Sequence, residues 1–188
     1  MEIKEKVVLK DKGETKNLPT VNQLLVSLGW TSEVDLDLMA FYKKKDGTVG
    51  GVYSKELGGS HGDLNAFPFM QLSGDAGIGA QGGDNEETLK IIKMDDIAKL
   101  QIVALNYTDA KAKNADASFS QYNGKISVVN ETGEAFEIPL EATEKGTAAL
   151  LCTIDNTSPV GATIKREDRV MSFEQFINDI EGANALTK

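Results

Sequence analysis

The chain is poor in the residues that covalent cross-linking and catalysis draw on. Its 188 residues include one cysteine, Cys152, and one histidine, His61. A single cysteine excludes an internal disulfide, and its setting in the run AALLCTI reads as a buried core thiol suited to a reducing compartment. The histidine lies in SHGD, between Ser60 and Gly62 with Asp63 close by. Neighbours in one flexible loop do not assemble a Ser-His-Asp triad, which is defined by geometry across a fold, so His61 is expected to be exposed and chemically idle. No apolar stretch reaches bilayer length, and the N-terminus MEIKEKVVLKDKGE has no signal-peptide core. A soluble cytoplasmic protein is therefore expected. Positive charge is also short: 20 basic residues face 29 acidic ones, for a net charge of −9 and a pI near 4.7. Such a field repels nucleic acid and anionic membrane and attracts cations. No phosphate-cradling G-x-x-x-x-G-K-[ST] motif is present.

What is present reads as mainly β. KVVLK, near residues 6–10, is a short edge strand whose lysines guard against unwanted pairing, followed by the polar loop DKGETKNLPT. NQLLVSLGW, residues 22–30, is a buried strand. In VDLDLMAFYK, the residues Val34, Leu36, Leu38, Ala40 and Tyr42 share one face at a period of two, and Asp35 and Asp37 share the other. At about 3.3 Å per residue the two carboxylates stand about 6 to 7 Å apart, close enough to lean onto one ion. Asp46-Gly47 marks a hairpin, and Lys43 to Lys45 read as a solvated strand end.

Further on, strands are expected near Leu89–Ile92 and Leu100–Tyr107, with a helical turn at Asp95–Asp96 between them and a short helix over 109–117. Turn signals at Asn123-Gly124 and Thr132-Gly133 punctuate a meander or Greek-key run, and GTAALLCTIDN and GATIKRED add two strands. The tail SFEQFINDIEGANAL carries Phe173, Phe176, Ile177 and Ile180 at helical spacing behind Ser172. Eight to ten strands with few helices make an all-β, two-sheet β-sandwich with short helices and a C-terminal amphipathic helix, read as a single domain over 1–188.

The segment that carries chemistry is GDAGIGAQGGDNEE, residues 74–87. Its glycines let the backbone curl, and Asp75, Asp84, Asn85, Glu86 and Glu87 supply oxygen. Calcium takes six to eight oxygen ligands in loose geometry and suits a pliable acidic loop. An EF-hand is excluded, because Asp35-Leu36-Asp37-Leu38 is followed by Met39 and Ala40. A site would have to be assembled by folding, with the Asp35/Asp37 strand brought against the loop.

LLVSLGW, VDLDLMAF, SGDAGIGAQGGDNEET, LQIVALNYTDA and KISVVNETGEAFEIPL occur in the order and approximate spacing of the TerD family, the bacterial tellurite-resistance and general-stress proteins. The chain resembles that family over about residues 20–165. The resemblance implies a β-sandwich with Ca2+ in an acidic pocket at one end, involvement in chemical stress, other stress-response proteins as partners and no enzymatic activity. On this chain the implied metal residues are Asp35, Asp37, Asp75, Asp84, Asn85 and Glu86. Thr31 and Asn85 stand where relatives often carry acids, and the segment ATIKREDRVMSFEQFINDI departs from the usual C-terminus. The alternatives are a metal-assisted hydrolase of phosphoesters, which would lack a nucleophile and a second histidine, and an ion-free structural sandwich. Exposed strand edges would allow oligomers.

Overall fold

The structure, a computed structural model of the chain, describes residues 1–73 and 85–187. Of the residues singled out above, Asp75 and Asp84 lie outside the described residues. Thirteen strands, numbered in chain order, form two sheets among the described residues. The first runs in spatial order β1 (Glu5–Val8), β11 (Glu134–Pro139), β10 (Lys125–Asn130), β3 (Leu24–Trp30), β8 (Asn85–Ile91), β7 (Met70–Leu72), β6 (Gly62–Asp63). The second runs β2 (Thr15–Leu18), β13 (Ala162–Met171), β12 (Ala148–Asp155), β9 (Ile97–Asn106), β4 (Leu36–Lys44), β5 (Val49–Val52). Pairing is antiparallel except for β1, which lies parallel to β11 at the edge.

The two-sheet sandwich follows from period-two alternation. In β3 every second side chain, from Leu24 to Trp30, is buried, and in β8 Asn85, Glu87, Leu89 and Ile91 face inward. These residues meet Leu36, Leu38 and Ala40 of β4 and Ile102 and Ala104 of β9 across the sheets. The structure has more strands than the sequence suggests because short ones such as β2, TKNL, borrow their order from a neighbour; β2 pairs with β13 from Ala162 to Lys165. Asp95 and Asp96 form a plain turn between β8 and β9 and no helix.

A second apolar layer explains why β4 is buried on both faces, where alternation alone predicted a charged outer face. Helix α2 (Phe173–Asp179) lies over the outside of the second sheet. Its Phe176 ring meets Phe41 edge-on at 5.5 Å, and Ile180 and Ala183 extend the cover. The helix starts where it does because Ser172 and Gln175 form a reciprocal capping box directly after β13.

The crossing of the chain from β1 to β2 depends on Arg166. This residue is 3% exposed, and its Nη1 donates to the carbonyls of Leu9 (2.8 Å) and Lys10 (2.7 Å). Its Nε donates to Asp168 at 2.6 Å. The two side chains share one buried face of β13, which bulges there: Arg166 pairs with Cys152 and Arg169 with Leu150, so two residues oppose Leu151. Asp168 sits there at φ +46, a left-handed backbone that aspartate tolerates. Arg166→Met leaves Asp168 buried without its cation and frees the carbonyls of Leu9, Lys10 and Pro139. It is expected to lower unfolding free energy by about 3 to 5 kcal/mol, read by denaturant titration.

Candidate functional site

Strand β4 outruns its neighbour. Strand β5 pairs with Ala40 to Lys43 only, so the N-terminal half of β4 has no strand on that side among the described residues. An edge N–H buried in a sandwich needs an acceptor. Glu87, on the inner face of β8 in the opposite sheet, provides one: its Oε2 accepts the Leu38 N–H at 2.6 Å. Glu87 is 6% exposed and Asp37, next to Leu38, is 8% exposed. Together with Ser54, His61, Leu72 and Ser73 they line a narrow cleft of about 10 Å³. That is room for about one water-sized sphere, an ion rather than an organic substrate. A buried carboxylate needs hydrogen-bond donors, and the Leu38 N–H is one for Glu87.

The other predicted residues divide. Asp35 is half-buried just ahead of β4 and is held by its backbone on both sides: its N–H donates to Thr108 Oγ1 at 3.0 Å, and its carbonyl accepts the Tyr107 N–H at 2.9 Å. Asn85 is 5% exposed, and its Nδ2 donates to the Ser32 carbonyl at 3.0 Å, closing the turn after Trp30. Glu86 points to the outside of the first sheet, into a polar depression shared with Thr31, Asn123 and Lys125. Asp37 and Glu87 are thus brought together, and Glu86 is not. Among the described residues no three His, Cys, Asp or Glu side chains gather as a metal-holding group. His61 is half-buried in the cleft wall rather than exposed, and its carbonyl accepts the Leu72 N–H at 2.8 Å. Cys152 is fully buried, and burial, with Glu167 and Asp168 nearby, pushes its thiol far above the ordinary range.

The same architecture occurs in known structures. A homologue of telluride resistance protein (TerD) from Streptomyces coelicolor A3(2) superposes with a TM-score of 0.52 at 14% identity, over 84% of this chain and 95% of that one. The chain has a TerD-like fold. A protein of unknown function, SAV2460, superposes with a TM-score of 0.54 at 14% identity, over 83% of this chain and 94% of that one. No protein-family model and no curated protein matches the sequence. No helix among the described residues is long and apolar enough to cross a membrane.

Within this TerD-like sandwich the residue missed at the site is Glu87. Extending the alternation of Leu89 and Ile91 backwards puts Glu87 and Asn85 inside and Glu86 outside, so the signal was available. The supports of Asp35 were less legible. Helix α1 (Tyr107–Ala112) is capped by Asn106, whose Oδ1 accepts the Asp109 N–H at 2.9 Å. The Asp109 carboxylate in turn accepts from Asn106 Nδ2 (2.7 Å), Tyr122 Oη (3.0 Å) and Asn114 Nδ2 (2.8 Å). Burial, and then the Asp109 carboxylate, push the Tyr122 phenol from 10.0 up to about 12. The folded state therefore holds this proton more tightly than the unfolded chain. The stabilisation is intact below pH 10 and is lost as pH rises from 10.0 towards about 12. Alkaline denaturation followed by circular dichroism is expected to be shallower over that window in Tyr122→Phe, at the expense of lower stability at neutral pH.

Proposed function

We propose that this protein is a non-enzymatic calcium-binding module of the stress-response kind, in which an ion joins the acidic start of β4 to the acidic Gly-rich segment before β8. The observation that carries this reading is the Glu87–Leu38 bond, which holds Glu87, near the start of β8, against the residue next to Asp37. The donors fit calcium by kind: carboxylates of Asp37 and Glu87 and hydroxyls of Ser54 and Ser73 are hard oxygens, and His61 is the one nitrogen among the lining groups. Asp37, Glu87 and Asn85, with Asp35, Asp75 and Asp84, are the residues assigned to the ion. Glu86 is dropped from the ligand set, because it faces the other side of the sheet. The likeness to a homologue of telluride resistance protein supports a role in resistance to tellurium compounds; action against chemical stress inside the cell, through protein partners, is part of the same proposal. The buried state of Cys152 speaks against direct thiol chemistry with a tellurium oxyanion.

One observation favours a second reading, a metal-assisted hydrolase: His61 lines the same cleft as Asp37 and Glu87, although the three do not by themselves gather as a metal-holding group among the described residues. Turnover of phosphoester substrates by the calcium-loaded protein, lost in His61→Ala, would favour that reading.

An ion that binds only the folded chain raises its stability by mass action, about 2.7 kcal/mol at about 100 times Kd. Calcium is expected to raise the melting temperature more than magnesium does, and Asp37→Ala combined with Asp84→Ala to abolish the rise. An unchanged melting temperature in calcium would overturn the reading.

A further inference from the structure

On the outside of the second sheet, beside α2, the apolar cover is incomplete. Leu57, Leu105, Tyr107, Ala110 and Phe173 leave a groove of about 270 Å³, with Lys111 at its rim. The Lys111 ammonium stands 5.7 Å from the centre of the Tyr107 ring, along one wall. One wall of the groove reaches a residue of the acidic cleft, Ser54, and the other holds Asp35, two residues before the cleft's Asp37. Tyr107 and Ala110 belong to α1, whose first residues Tyr107 and Thr108 hold the Asp35 backbone from both sides. Leu57 ends a 3-10 turn, Lys55–Leu57, capped by Ser54; the Ser54 hydroxyl accepts the Glu56 N–H at 3.2 Å, and its carbonyl accepts the Leu57 N–H at 3.2 Å. Ser54 itself lines the acidic cleft. Fixing Asp35 and Ser54 therefore fixes α1 and the Leu57 turn.

Charge selects the occupant. Lys111, Lys113 at the end of α1 and Lys55 on the Leu57 turn make no ion pair among the described residues, although most lysines elsewhere on this acidic chain are paired. An apolar floor with an unpaired cation, Lys111, at its rim and two more unpaired lysines on the elements that form its walls complements an acidic segment that carries apolar anchors.

We propose that this groove docks an acidic, apolar-anchored segment of a partner protein, and that ion binding in the acidic cleft strengthens docking by ordering the two walls. The docking half stands on the groove alone; the coupling half rests on the calcium reading above. Pre-ordering the walls removes part of the entropy that a partner would otherwise have to overcome on binding.

The test uses the full chain and two labelled amphipathic peptides, one of glutamate and leucine and its lysine–leucine counterpart, with fluorescence anisotropy as readout. The acidic peptide is expected to bind despite the net charge of −9, which by itself favours the basic one. Lys111→Glu should weaken it by about tenfold, and Ala110→Trp, which fills the groove, should remove it. Calcium should tighten binding by about fivefold or more, and Asp37→Asn should erase only that gain. Preference for the basic peptide, or indifference to Lys111→Glu and Ala110→Trp, would overturn the docking site. So would self-association in analytical ultracentrifugation that Lys111→Glu dissolves, since the occupant would then be a second copy. Calcium heat in calorimetry with unchanged peptide affinity would overturn the coupling alone. Absence of calcium heat would overturn the calcium reading and the coupling together, with the docking result standing apart.

Discussion

The hydrogen bond from the Leu38 N–H to the Glu87 carboxylate ties the two sheets together at one end of the sandwich. Leu38 belongs to one sheet and Glu87 to the other, so the bond crosses a layer that is otherwise held by apolar packing, which is strong but indifferent to register. A charge-assisted bond of 2.6 Å in a buried setting is directional and short. It satisfies an N–H that β5 is too short to reach, and it draws a second carboxylate next to Asp37. The acidic character of that end is thus a consequence of how an edge strand was completed.

The two outer faces of the sandwich have diverged. The first sheet turns Glu137, Lys6 and Lys125 to solvent in an ion-paired cluster with Nζ–Oε1 distances of 3.2 Å, a surface that needs no cover. The second sheet turns out Met39, Phe41, Val103 and Leu150, which must be covered, and the C-terminal helix covers most of them. The part left open borders the two short elements, α1 and the Leu57 turn, that also hold the acidic cleft. Apolar and ionic surfaces are therefore mechanically adjacent, although their side chains face different directions.

The fold was legible where one face of a strand is buried and the other is not. The alternation in LLVSLGW fixed both the existence and the facing of β3, and the helical spacing of Phe173, Phe176, Ile177 and Ile180 marked α2. It failed where context decides: TKNL is a strand only because β13 is beside it, and the outer face of β4 is apolar beyond Asp37 because a helix lies over it. In the cleft, Asp37 was legible because acids alternating with apolar residues stand out. Glu87 was passed over for Glu86, since in a run of four oxygen-bearing residues composition carries no facing. His61 and Ser54 reach the cleft through loop paths that no local pattern encodes. Arg166 and Asp168 share one face of β13 at a period of two, but the bulge that buries the pair leaves no mark in the local pattern.

The account stands on the cleft between Asp37 and Glu87 as the seat of a divalent cation. Calorimetric titration of calcium into the wild-type chain and into Glu87→Gln tests it most directly, because glutamine keeps an acceptor for the Leu38 N–H and removes only the charge. The account predicts saturable calcium binding by the wild type and a weakening of about tenfold or more in the folded variant. Equal affinity in the two chains, or no binding by either, would contradict it.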